Sequence, residues 1–176
     1  MSELVLQIIL IAVLLTAVIT DLRSYRIPNC LTVPAMACGL LIHTLIDGTG
    51  GLVVGLEGLG LGLGLFLVFY LMGGMGAGDV KLMAAIGSFL GPRGVLYAAM
   101  LTGLLGGIYA VAAMASCWGL RATARQAVAM LTTPVFPQQE GALSVTKQAS
   151  LRLRYALPIS LGTLLSMMAS QAFGGL

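Results

Sequence analysis

The chain has 176 residues, of which 59% are hydrophobic and only 9% charged, with a mean hydropathy of +1.02. Soluble domains carry about 25% charged residues, so the composition excludes an ordinary soluble protein and specifies an integral membrane protein. The net charge of +3 is not a nucleic-acid footprint, because the basic residues lie between apolar runs and no basic–aromatic stripe accompanies them.

The first apolar run, 4–20, is at the lower end of the length that crosses a bilayer, about 17–25 residues. It has no basic n-region and no small-x-small cleavage site, so it reads as a retained span. A polar stretch follows over 21–29, in which Pro28 stops local helix and Asn29 is placed to N-cap a second span, 30–46. Asp47-Gly48-Thr49-Gly50-Gly51 is a turn. The third span, 52–72, is rich in glycine; Gly51/Gly55 and Gly60/Gly64 have the small-xxx-small spacing that lets backbones pack closely in lipid. That spacing predicts a place for this helix at the centre of the bundle.

Gly76-Ala77-Gly78-Asp79-Val80-Lys81 interrupts the apolar pattern, and 82–90 continues it up to Gly91-Pro92-Arg93-Gly94. Counted from Asp79, this segment is about 18 Å as helix against a hydrocarbon core of about 30 Å. Either it starts earlier, near Gly73, or it is a partial span with Asp79 sunk below the surface, which requires a water-filled cavity. A fifth span covers 95–118. The polar stretch 119–154 reads as a cytoplasmic loop, with an interfacial helix over 120–131 that turns Arg121 and Arg125 to headgroups. A sixth span covers 155–173. The expected fold is all-α: a single membrane-embedded domain over 1–176, a bundle of about six transmembrane helices.

Charge orients the bundle. Six spans with Asp21 on the cytoplasmic side leave eight of the nine basic residues inside and only Arg93 outside. Both termini are then extracytoplasmic, and Asp21 and Asp79 emerge at the same, cytoplasmic, face.

The chain has six acids. Glu3 and Glu140 read as solvated surface, and Asp47 as a turn residue. Glu57 lies inside span three near the outer face, where a hydrogen bond to a neighbouring span is favoured over catalysis. An ionisable residue at a membrane junction is a functional candidate by default, which singles out Asp79 with Asp21 as its partner. The plain rival is a pair of helix-end acids neutralised by Arg23, Arg26 and Lys81. A transporter with an acidic relay also fits, although both acids sit at one face and not at the midplane. Cys30, Cys38 and Cys117 form no CxxC and read as buried thiols, neither metal ligands nor disulfides. His43 reads as a structural histidine.

Two motifs carry a family resemblance: Asp21-Leu22-Arg23-x-x-x-Ile27-Pro28-Asn29, and Gly76-Ala77-Gly78-Asp79-Val80-Lys81-Leu82 with its extension to Gly91. In them the chain resembles the type IV prepilin peptidases, GxGD aspartic peptidases of bacterial and archaeal membranes, over roughly residues 5–120. The resemblance implies that Asp21 and Asp79 are the catalytic aspartates and that Gly76 and Gly78 are the motif glycines, with Lys81 and Arg23 in support. Large members add a domain with paired CxxC motifs and N-methylate the new pilin terminus; this chain has no CxxC and is similar to the short members that serve tight-adherence (Flp-type) pili. What it implies is a metal-free, cofactor-free aspartic endopeptidase of the inner (cytoplasmic) membrane. Its partners would be membrane lipid and a prepilin or pseudopilin helix docking on the glycine-rich face of span three. A non-catalytic pilus-assembly membrane protein and a small transporter are the alternatives.

Overall fold

A computed structural model describes residues 2–24, 26–72, 75–118 and 155–172, and every regular element among them is a helix. These are α1 (Ser2–Ser24), α2 (Asn29–Leu71), α3 (Ala77–Trp118) and α4 (Ala156–Ala172). Three stretches, Leu4–Ser24, Asn29–Leu71 and Ala77–Ala110, are long and apolar enough to cross a membrane, and α4 holds a shorter apolar stretch, Ala156–Ala169. The described residues are all-helical, and their long apolar helices are those of a membrane protein. The chain divides into two compact units, Met1–Gly106 with Arg154–Leu176, and Gly107–Leu153. The first unit contains both motifs. The cytoplasmic loop and interfacial helix expected over 119–154 lie outside the described residues.

The polar residues expected to end the first helix do not. α1 continues through Asp21 to Ser24, with the Thr16 and Thr20 hydroxyls folded back onto carbonyls one turn earlier, out of competition with the backbone ahead. The break comes where Ile27 precedes Pro28, a position sterically biased away from helix. The buried residues of α1 are Leu10, Leu14, Ala17 and Asp21, one stripe at helical period. Asp21 is therefore the end of the core face of α1.

α2 and α3 each contain one non-helical residue, Gly48 (φ 63°) and Gly91 (φ 68°). Both are left-handed conformations that glycine adopts without a Cβ clash. At Gly48 the chain folds back: a Cβ on Gly51 would strike the carbonyl of His43, and one on Gly55 would lie 3.8 Å from Cα of Leu40. The expected five-residue turn is thus a reversal built on one glycine. The break at Gly91 leaves the Phe89 carbonyl short of a helical partner, and the Nε2–H of His43 donates to it at 2.9 Å. The lone histidine is a cap for a broken helix.

The centre of the bundle is not the third span. It is the arm of α3 before Gly91, where Val80, Leu82–Ile86 and Phe89 are buried on all sides. The second arm of α2 lends it one face only. Gly51, Gly55, Gly58, Gly62 and Phe66 are buried along that face, while most other residues between them are exposed. Gly58 and Gly87 cross so closely that a Cβ on either would strike the other's carbonyl oxygen, and a Cβ on Gly62 would lie 3.1 Å from Val95 Cγ2. Gly60 and Gly64 have nothing within 4 Å. The contact stripe follows the helical period through Gly51, Gly55, Gly58 and Gly62, and only the first of the two expected pairs belongs to it. The first arms of α2 and α3 together cover that stripe, which leaves the outward face with Gly60 and Gly64 as the open side of this span.

Other outward positions also depart from expectation. Glu57 is exposed and forms no hydrogen bond to a neighbouring span among the described residues, and Cys30 and Cys38 are free, exposed thiols. Lipid solvates an apolar thiol as well as a core does, so burial is not required of it. α4 closes the bundle against the second arm of α3, where Gly162 abuts the Thr102 backbone and the Ser166 hydroxyl donates to the Gly94 carbonyl at 3.4 Å. Pro158 falls in the first turn of α4, where a missing N–H costs no helical bond.

The packing separates two substitutions of one type. Gly58→Ala must push α2 off α3, an overpacking cost of about 1–3 kcal/mol or more. Gly60→Ala points into open space and stiffens the helix, gaining up to about 1 kcal/mol. Thermal melts in detergent should show a clear loss for the first and none for the second; equal melts would break the assignment of the contact face.

Candidate active site

The two motifs meet through a missing side chain. A Cβ on Gly78 would lie 3.2 Å from Cβ of Ile27 and 3.5 Å from its backbone nitrogen. Glycine at 78 therefore lets the α1–α2 connector rest directly on the first turn of α3. That contact brings the end of α1, with Asp21, alongside the start of α3, with Asp79. Both carboxylates are buried, and both line one cavity of about 330 Å³.

Gly76 has its own local reason. It caps α3: Asp79 and Val80 donate their backbone N–H groups to its carbonyl at 3.1 and 3.4 Å. Its own N–H donates to Asp79 Oδ2 at 3.2 Å. This is the carboxylate half of a capping box, with the acid at the third helical position reaching back. A Cβ on Gly76 would lie 3.1 Å from that same oxygen, so the glycine clears space for the carboxylate to fold over it. α3 begins at Ala77 and not near Gly73. Its first arm, 77–90, is about 21 Å long at 1.5 Å per residue, shorter than a bilayer core.

Among the described residues the cavity is lined by Asp21, by Arg26, Ile27 and Asn29 of the connector, and by 76–79 with Lys81. Lys81 is on it, as the sequence suggested. Arg23 is not; it is exposed in the last turn of α1, where a cation complements the helix dipole. Arg26 lines the cavity in its place. Asn29 was expected to cap α2, but Pro28 occupies the capping position with no side-chain cap bond. The Asn29 side chain accepts a hydrogen bond from Lys81 Nζ at 2.9 Å. The signal for Arg23 was available: two residues beyond Asp21 is about 200° around a helix, off the stripe that points inward. The role of Asn29 had no such signal, because its partner is 52 positions away.

Chemically, two carboxylates facing one polar cavity can hold one proton between them and handle a water molecule from both sides. Among the described residues, no three of His, Cys, Asp and Glu come together as a metal would require.

Comparison with known proteins agrees with these two motifs. Residues 8–111 match the model of the type IV leader peptidase family. The chain belongs to that family. The matched region holds both acids, both motif glycines and the whole cavity lining. The chain is also 32% identical over 118 residues to the prepilin leader peptidase/N-methyltransferase of Bacillus subtilis (strain 168), covering 64% of this chain and 46% of that relative. It therefore spans about half the length of the curated relative it matches. No solved structure matches the chain.

The contact at Gly78 can be probed directly. Gly78→Ala pushes Ile27 away by a few tenths of an ångström, and misplacement near 1 Å can cost about 100-fold in rate. We expect this variant to fold and to cut a substrate of the family about tenfold more slowly. A Gly78→Ala protein with unchanged cleavage would show that the connector contact does not set the site.

Proposed function

We propose that the protein is an aspartic endopeptidase of the inner (cytoplasmic) membrane that removes the short basic leader from type IV, Flp-like prepilins at the cytoplasmic face. One observation carries this: two acids from separate motifs, both buried, share one cavity inside the region that matches the leader peptidase family. Asp21 and Asp79 share a proton, since two adjacent carboxylates do not both ionise readily. The ionised member takes a proton from water as the water attacks the scissile carbonyl. The protonated member donates towards the carbonyl oxygen and then to the leaving amine. The pair acts as a unit, so neither aspartate is assigned a fixed role. This chemistry uses no metal and no organic cofactor.

In this reading the chain is one membrane domain of six membrane-embedded segments, the fourth being the short first arm of α3, with both termini extracytoplasmic. The fold-back at Gly48 and the break at Gly91 supply the reversals, and the bias of basic residues to one side supplies the orientation. The substrate is a prepilin or pseudopilin whose apolar helix lies in lipid while its leader enters the cavity. Arg26 and Lys81 make the cavity a mixed-charge site, so the enzyme does not grip a basic leader by simple charge attraction.

The test is cleavage of a co-expressed prepilin, read as a mobility shift. Wild type should cut, while Asp21→Asn and Asp79→Asn should each lose at least about 1,000-fold, with normal amounts of protein in the membrane. Normal cutting by either variant would overturn the dyad; full pilus assembly by Asp21→Asn would favour a non-catalytic assembly protein. Cleavage by the purified wild type should also survive a chelator such as EDTA. Abolition by EDTA and recovery with a divalent cation would replace the aspartic reading with a metal-dependent one.

A further inference from the structure

The cavity has a second link between its two halves, and nothing in the dyad chemistry uses it. Lys81 Nζ donates to Asn29 Oδ1 at 2.9 Å, joining the first residue of α2 to the first turns of α3. Lys81 is two positions beyond Asp79, so the two side chains leave α3 on nearly opposite sides. The ammonium reaches to Asn29, and Asp79 accepts its hydrogen bond from the Gly76 N–H. Alongside runs the Ile27–Gly78 contact, which has no directional component: it limits how near the connector can come, not whether it stays. The Asn29–Lys81 bond supplies the missing restraint. It is charge-assisted, and bonds of that kind are shorter and stronger than neutral ones.

We propose that Asn29 and Lys81 are a pair of positioning residues, a brace that holds the Asp21-bearing end of α1 at a fixed distance from Asp79. The proposal rests on the reading of Asp21 and Asp79 as the catalytic pair. The brace acts through the connector: Asn29 follows Pro28, whose ring fixes the backbone there (φ −72°), so a pull on Asn29 is carried back towards Ile27. A shared-proton pair works only while both carboxylates reach the same water. The brace therefore affects turnover of bound substrate far more than substrate affinity or the stability of the fold.

The experiment measures kcat and KM for a prepilin with the full-length protein in detergent–lipid micelles, at matched amounts of folded protein. Asn29→Leu removes the acceptor and keeps the cation; Lys81→Met removes the cation and keeps the acceptor. Each should lower kcat about 10- to 30-fold with KM within about threefold, a loss confined to the transition state. The double variant should be no more than about twofold worse than the poorer single one, as expected for two ends of one interaction. Lys81→Arg, which keeps a charged donor, should recover kcat to within about fivefold of wild type. If Asn29→Leu does not accumulate, Asn29→Ala is read by the same criteria.

Three outcomes overturn the brace: a loss in Lys81→Met alone, which assigns Lys81 a charge role; losses that multiply in the double variant; or a change in KM with kcat intact. Asp21→Asn and Asp79→Asn run in parallel. Cleavage by those two would defeat the underlying dyad, whereas their silence with an unaffected Asn29→Leu defeats only the brace.

Discussion

The close crossing of Gly58 and Gly87 is the constraint on which the rest of the structure depends. With no Cβ on either residue, the second arm of α2 and the first arm of α3 approach to backbone contact. In lipid there is no hydrophobic drive to bring two helices together, so close packing of this kind is what holds them. It fixes the depth and the rotation of a helical arm that is too short to cross the membrane alone. Once that arm is buried on all sides, its N-terminus has one possible place, and with it Asp79.

A short arm capped by glycine meets a constraint peculiar to a buried carboxylate that faces a cavity inside a membrane protein. Water must reach a carboxylate without opening backbone groups to lipid, and irregular backbone is tolerated only where protein or water covers it. Here the helix start is covered by the α1–α2 connector on one side and opens to the cavity on the other. Gly76 and Gly78 serve different neighbours in this arrangement. One yields space to the Asp79 carboxylate and the other to Ile27. The spacing of the two glycines thus follows from local geometry, whatever chemistry the acid performs.

Much of this was legible in the sequence, and the failures share one cause. The two acids stood out as ionisable residues in an apolar chain, and the resemblance of the two motifs singled out Gly76, Gly78 and Lys81 beside them. Errors came where the answer depended on direction. The pair Gly60/Gly64 has the right spacing and the wrong face; the stripe through Gly51, Gly55, Gly58 and Gly62 is found only by following the helical period. Arg23 failed for the same reason, two residues off the stripe that ends at Asp21. Gly48 and Gly91 were read as punctuation, yet how sharply the chain turns there is set by contacts such as His43 with Phe89, 46 positions apart. No local pattern encodes such a pair.

Asp79 carries two roles that most substitutions confound. Its carboxylate takes the N–H of the residue capping its own helix, and it faces Asp21 across the cavity. Alanine at 79 would remove both functions at once, and loss of a cap costs about 0.5–2 kcal/mol in its own right. Asparagine keeps a side-chain oxygen that can accept from Gly76 and removes the ionisable carboxyl that takes up and releases a proton. The helix start then survives, and with it the Gly78–Ile27 contact and the shape of the cavity. A silent Asp79→Asn protein therefore speaks to proton transfer, whereas a silent alanine variant would leave a collapsed helix end as an equal explanation. Asp21 lacks this complication, because it lies in the last turns of a continuous helix and not at a helix start.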